Sequence, residues 1–201
     1  MAEVGGSVFR VLAAGSFAGR DRLELLDRRG RGGPAVEIRQ TAAEIVDRVR
    51  AGGDAALLEA VRRFDGHDAP SAAALRLAGD RPRPAGDEVE PAVLDAIERA
   101  RGAIEAYHRA LLRGPGVERV DRNGVRIEER RIAIRRVGLY VPGGRFPYPS
   151  TVLMTAVPAR LAGVEEIAVA TPPRAYLDSP VLRHVLDLAG VDEVWGMGGA
   201  H

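Results

Sequence analysis

Arg136-Val-Gly-Leu-Tyr-Val-Pro-Gly-Gly-Arg-Phe-Pro-Tyr-Pro-Ser-Thr-Val-Leu-Met-Thr-Ala-Val-Pro-Ala-Arg-Leu-Ala-Gly163 decides the fold of this chain. Val137 to Val141 is a short apolar run bounded by Pro142-Gly143-Gly144, which suits a strand buried on both faces of a parallel sheet. Ser150 or Thr151 then offers a cap for a helix carrying Val152, Leu153, Met154, Ala156, Val157 and Leu161. That helix is apolar nearly all round, so it is expected to be buried. Pro158 lies inside the pattern and predicts a kink or an early break.

Downstream the same alternation repeats. Glu166 to Thr171 reads as a strand stopped by Pro172-Pro173. A helix follows with Ser179 as its cap, Pro180 in its first turn, Leu182, Val185, Leu186 and Leu188 on its apolar face, and Gly190 as its terminator. Asp192 to Trp195 make a third strand, which enters Gly196-Met-Gly-Gly-Ala-His201. Strand, helix, strand, helix, strand is the signature of a right-handed parallel α/β unit. The fold class is therefore α/β, a parallel half-domain.

Open parallel sheets bind ligands beyond the carboxyl ends of their strands. Two glycine-rich turns lie there, Pro142-Gly143-Gly144 and Gly196 to Gly199. Glycines let phosphates approach backbone amides at a helix start. Gly196 and Gly198 match the first positions of the dinucleotide fingerprint, whereas His201 stands at the third. On the residues alone, tight turn and nucleotide site both stay open, the tight turn being the plainer reading.

Upstream of Arg136 the chain is helical and then forms a hairpin. Val8 to Ala14 suits a short strand, and Arg28-Arg-Gly-Arg-Gly-Gly-Pro34 an exposed loop. Thr41-Ala-Ala-Glu44 reads as a capping box opening a helix that Gly52-Gly53 stop. Asp54 opens a second helix with Leu57, Leu58, Val61 and Phe64 at helical spacing, ended by Asp65-Gly66. Leu75 and Leu77 suit a short strand on the rim. The longest helix starts near Pro91 with Val93, Leu94, Ile97, Ile104, Tyr107 and Leu111 as its stripe, and Gly114-Pro115-Gly116 end it. Val117 to Val120 and Val125 to Glu128 flank Asn123-Gly124, which supplies the positive backbone angles of a tight hairpin turn. The hairpin is expected to continue through Arg131 to Ile134. These readings divide the chain into an extension and linker (1–34), a helical region (35–116), a β-hairpin arm (117–136) and an incomplete Rossmann-like domain (137–201).

Composition narrows the classes. A chain of 201 residues, 46% hydrophobic and 28% charged, buries a real core. Its net charge of +1 gives no pull toward nucleic acid or anionic membrane, and all 29 basic residues are Arg, which reads as a coding bias. With no cysteine there is no disulfide, thiolate nucleophile or cysteine-held metal. No apolar run reaches the ~18 residues of a membrane span, so a cytoplasmic location is the default. His67, His108 and His184 have no ligand partner at a convincing spacing and read as surface or packing residues.

Val-Gly-Leu-Tyr-Val-Pro-Gly-Gly (137–144), Tyr-Pro-Ser-Thr-Val-Leu-Met (148–154), Pro-Ala-Arg-Leu-Ala-Gly-Val (158–164), Thr-Pro-Pro (171–173) and Gly-Gly-Ala (198–200) resemble the histidinol dehydrogenase family. Ile45-Val-Asp-Arg-Val-Arg-Ala-Gly-Gly-Asp-Ala-Ala-Leu, Arg63-Phe-Asp and Ile104-Glu-Ala-Tyr-His108 fit as well, so the resemblance covers roughly residues 35 to 201. It implies an NAD-dependent, zinc-containing homodimer of histidine biosynthesis that oxidises L-histidinol through the aldehyde to L-histidine with two NAD in succession. It also implies that the catalytic Glu-His pair and the zinc ligands belong to a part of the family's length absent here, so no catalytic or metal residue carries over. The fold the resemblance implies is α/β, an incomplete dinucleotide-binding-like parallel sheet, with an exposed apolar edge expected beyond Asp192 to Trp195, and such a chain alone is expected to be inactive.

Tyr140 matches the family's NAD-contacting tyrosine. His201 stands where the family has a glutamine. Arg145-Phe146-Pro147 replace the small residues usual after the glycine pair, where they either narrow the cofactor cleft or pack against the arm. The contrasting class is a non-catalytic α/β module that binds a nucleotide or a partner subunit.

Overall fold

The computed structural model describes residues 34–79, 85–113, 116–143 and 148–201. The strand expected at Val8 to Ala14, the loop before Pro34 and the Arg145-Phe146-Pro147 substitution lie outside the described residues. The chain divides into units at residues 1–47 and 48–201, taken in turn.

In the first unit, Pro34 to Asp47 belong to helix α1 (Pro34–Ala60). Thr41 is not its cap. The helix starts a full turn or more earlier, at a proline whose missing amide costs nothing there, and Glu37 in the first turn complements the helix dipole. Thr41 instead donates its Oγ1 hydrogen to the Glu37 carbonyl at 2.9 Å, four residues back.

In the second unit, Gly53 interrupts α1 with φ 56° and ψ −141°, angles a side chain resists. The break thus falls where the glycine pair placed it. The helix then widens into a π turn, Val61–Asp65, closed by Gly66 at φ 64°. Strand β1 (Arg76–Ala78) follows, and helix α2 (Pro91–Leu111) carries proline in its first turn. Only the middle of the α2 stripe finds a core: Ile97 is buried in it and Ile104 packs against it, while Val93, Tyr107 and Leu111 are exposed.

Strands β2 (Gly116–Arg122) and β3 (Val125–Arg131) form an antiparallel ribbon. Asn123 and Gly124 turn it at φ 53° and 76°, both positive, so this hairpin needs these residue types. Pairing stops at Arg131 and does not reach Ile134. One ribbon face carries Val120, Val125 and Ile127, all exposed. The other is charged, with Arg119 to Glu128 at 2.9 Å and Arg126 to Asp121 at 3.1 Å.

The main sheet contains β1, β4 (Arg136–Tyr140), β5 (Glu166–Thr171) and β6 (Glu193–Gly196), in the order β1-β6-β5-β4. β4, β5 and β6 run parallel, and β1 lies antiparallel on β6. Beyond β6 the edge is therefore not open as expected: Arg76 pairs Trp195 and Ala78 pairs Val194.

The crossovers are α3 (Pro149–Leu161) and α5 (Pro180–Leu188), with a short α4 (Pro173–Leu177) before α5. Since the parallel strands are laid down in one direction, right-handed crossovers put both long helices on one face. Val152, Leu153, Ala156 and Val157 of α3 and Leu182, Val185 and Leu186 of α5 pack there against Ile167, Val169 and Val194. The opposite face carries Gly138, Tyr140, Ala168, Ala170 and Trp195 and is only partly covered. The expectation that β4 is buried on both faces is corrected accordingly: every second residue of that strand is exposed.

Helix ends divide into those set by local chemistry and those set by proline. Ser179 Oγ accepts the Leu182 amide at 3.1 Å, as its position before Pro180 predicts. Neither Ser150 nor Thr151 caps α3, because Pro149 occupies its first turn. Pro158 does not end α3, which continues to Leu161. The amide it lacks would have paired with Met154, whose side chain lies on the exposed side.

Candidate functional site

Three segments converge at the carboxyl ends of β4, β5 and β6: Val141 to Gly143, Pro172, and Met197 to His201. Their closeness explains the glycines. A Cβ on Gly143 would stand 2.8 Å from Pro172 Cγ, and one on Gly198 would stand 2.9 Å from the same carbon. Gly198 is crowded from a second side, where its Cβ would meet Asp65 Oδ1 at 2.8 Å. Gly199 needs its own freedom for φ 67°.

Asp65 reaches this turn from the last residue of the π turn. Its Oδ2 accepts the Gly198 amide at 3.1 Å and lies 2.9 Å from His201 Nε2. The Gly198 amide also lies 3.1 Å from His201 Nε2, but a ring nitrogen that donates to Asp65 has no lone pair left to accept, so the amide's bond is the one to Asp65. Both side chains are nearly enclosed, His201 at 1% and Asp65 at 8% exposure. A carboxylate has only acceptors, so Nε2 carries the hydrogen facing it. His201 Nδ1 is then an acceptor, and it is buried with no hydrogen-bond partner. The imidazole stacks on Phe64 at 6.0 Å between ring centres, and the Arg63 guanidinium covers that phenyl ring at 5.1 Å.

Tyr140 closes the arrangement from β4. Its hydroxyl accepts the Gly199 amide at 3.2 Å, which leaves its own O–H free to donate. The ring is half-exposed. Below it runs a cleft of about 480 Å³ lined by Gly138, Tyr140, Ala170, Trp195, Met197 and His201, among others. Tyr140, Ala170 and Trp195 sit side by side in register across β4, β5 and β6. Trp195 donates its indole N–H to Glu193 at 2.9 Å.

Tyr140 and His201, the residues the sequence singles out, are thus brought together around one peptide turn. Asp65, Phe64 and Trp195 join them unannounced, although Arg63-Phe-Asp belongs to the family-like blocks. The turn does not present free amides to a phosphate, since Gly198 and Gly199 spend theirs on Asp65 and Tyr140. Among the described residues no three His, Asp or Glu side chains come together to hold a metal ion. His108 packs edge-on against Tyr107, with ring centres 5.2 Å apart. His184 Nε2 is buried without a partner.

Comparison with known proteins identifies the frame. The family model described as histidinol dehydrogenase matches residues 30–201. A histidinol dehydrogenase of Mesorhizobium japonicum is 40% identical over 159 residues, covering 79% of this chain and 36% of that protein. One of Corynebacterium jeikeium is 41% identical over 179 residues, covering 88% of this chain and 39% of its own length. In structure, the histidinol dehydrogenase of Elizabethkingia anophelis superposes with a TM-score of 0.66 at 26% identity, over 81% of this chain and 37% of that one. The chain spans somewhat more than a third of the length of these relatives. Matches of this extent, over the blocks that build the sheet and its glycine turns, show that the chain belongs to the histidinol dehydrogenase family of oxidoreductases.

Proposed function

We propose that this chain forms the NAD-facing wall of an enzyme that oxidises L-histidinol to L-histidine. The observation that carries this reading is the meeting of Tyr140 and His201 on the Gly198-Gly199 turn, at the carboxyl ends of the parallel strands. When bound, NAD supplies a hydride acceptor. The residues present fit such a group in their chemistry: Tyr140 has a hydroxyl hydrogen to donate into the cleft, and Ala170 and Trp195 beside it give a planar ring an apolar floor. A ribose hydroxyl or a carboxamide oxygen can accept the Tyr140 hydrogen. The cleft volume lies in the range of small-molecule sites, and its lining is mostly apolar.

The roles of these residues are binding and orientation. Tyr140 is fixed by Gly199, so its hydroxyl points without having to be ordered on binding, which lowers the entropic cost of association. Among the described residues no set of His, Asp or Glu side chains makes a zinc site. A cytoplasmic homodimer is part of the same proposal, and the exposed apolar residues of α2 and of the β2–β3 ribbon support it.

Trp195, the only tryptophan of the chain, lines the cleft and provides the test. Energy transfer from Trp195 to NADH should appear on titration, and Tyr140→Phe should weaken it about fivefold, as expected for one lost hydrogen bond. Saturable transfer that is identical in the variant would remove Tyr140 from the site, and absence of transfer would remove the nucleotide. The 201-residue chain by itself is expected to produce no NADH from histidinol with added zinc, and measurable turnover in an absorbance assay would overturn that.

A further inference from the structure

We infer that Asp65 is a positioning residue for the nucleotide edge, setting the tautomer of His201 and, through the Gly198-Gly199 turn, the direction of the Tyr140 hydroxyl. This rests on the nucleotide reading above for its ligand, though not for its geometry.

The observations form one connected path. Asp65 is enclosed at 8% exposure and its Oδ2 faces Gly198 N at 3.1 Å and His201 Nε2 at 2.9 Å. An acceptor-only group placed between two nitrogens fixes both as donors. Gly198 cannot carry a side chain beside Asp65 Oδ1, so carboxylate and backbone are fitted to each other. The next amide, Gly199 N, is thereby aimed at Tyr140 Oη at 3.2 Å. A hydroxyl that already accepts must use its hydrogen elsewhere, and the cleft is where Tyr140 faces. On the imidazole, the hydrogen held on Nε2 leaves the buried Nδ1 as an unpartnered acceptor. The carboxylate therefore determines the tautomer of the enclosed imidazole and the donor that Tyr140 presents to the cleft, without touching a ligand.

A merely structural aspartate would move stability alone, so the test reads the ring nitrogens. In long-range ¹H–¹⁵N spectra of the 201-residue chain, His201 should show hydrogen on Nε2 and a bare Nδ1. Hydrogen on Nδ1 with a bare Nε2 would overturn the inference at once. Asp65→Asn, nearly isosteric, should mix the tautomers, shift the Gly198 and Gly199 amides and weaken NADH binding about tenfold. Phe64→Leu keeps the carboxylate and should keep the tautomer, so it separates loss of the stacked ring from loss of Asp65. Asp65→Asn that unfolds cooperatively yet leaves the His201 nitrogens and NADH affinity unchanged would sink the proposal. Wild-type chain that fails to bind NADH, while Asp65→Asn still moves the His201 and Gly199 signals, would support the positioning role and reject the nucleotide as its ligand.

Discussion

Arg160 shows how much a single side chain can hold. Its guanidinium donates to the Gly190 carbonyl, to Val164 O at 2.9 Å, to Glu165 O at 2.6 Å and to the Asp192 carboxylate. Asp192 Oδ2 in turn accepts the Ile167 amide at 2.7 Å. One residue of α3 thus fastens the loops that lead into β5 and β6. Arg160→Met leaves several carbonyls and a carboxylate without their donor and should cost about 2–3 kcal/mol in urea denaturation. Arg160→Lys should recover less than half of that, because an ammonium cannot reproduce the planar fork. A loss below about 0.5 kcal/mol for Arg160→Met, the range of an ordinary surface change, would refute the staple. Gly198→Ala should lower stability by about 1–3 kcal/mol through overpacking against Asp65 and Pro172, and loss of the Gly199 to Tyr140 hydrogen bond in amide spectra would accompany it. At this scale the sequence is readable where a signal is local. Ser179 before Pro180 is such a signal, and Tyr140 stands beside a glycine turn. Asp65 is not readable, because its partner His201 is 136 positions away and nothing near Asp65 distinguishes a helix end from a ligand-side carboxylate.

Elements obeyed their punctuation where glycine supplied it and where Pro91 and Pro180 open a first turn, and departed from it at Pro34, Pro149 and Pro158. Gly53, Gly66 and Gly190 all take positive φ and end or interrupt helices as their positions predict. Pro172 and Pro173 stop β5 at Thr171 as their position predicts, and Pro173, suited to a first helical turn, also opens α4, which the sequence reading lacked. The same chemistry moved the start of α1 from Thr41 to Pro34. The ribbon offers an electrostatic prediction. The hydrogen bond from Arg131, and then its charge, holds the Glu118 carboxyl below its usual range, while the bond to Glu118 raises Arg131. A carboxyl lowered by folding contributes stability above its unfolded pKa, and loses that contribution as pH falls through the folded value. Side-chain shifts of Glu118 should therefore titrate at lower pH than in Arg131→Gln. Coincident midpoints would show that the pair does not persist in solution, where exposed pairs are screened.

For the whole molecule, the parallel order of β4, β5 and β6 was legible because each crossover carries its own apolar face and stop signal. The one-sided covering of the sheet was not, since Val137 to Val141 is equally apolar on residues that end up on either face. Burial decides the stability of this unit: Leu186→Ala, at a fully enclosed position, should cost about 2–5 kcal/mol by cavity formation. Native-state hydrogen exchange should rank the strands, with β5 slowest because both its neighbours pair along most of its length, and β1 fastest because it is three residues long and on the edge. Equal protection of β1 and β5 would show that the sheet opens only as a whole. The placement of β1 also bears on synthesis. Arg76 and its partner Glu193 lie 117 positions apart, so at about 5–20 residues per second the ribosome takes roughly 6 to 23 s to deliver the second after the first. During that interval β4 and β5 can pair as they emerge, whereas the segment around Leu75 and Leu77 waits without its neighbour. A chaperone that shields nascent chains has its clearest target in this molecule there.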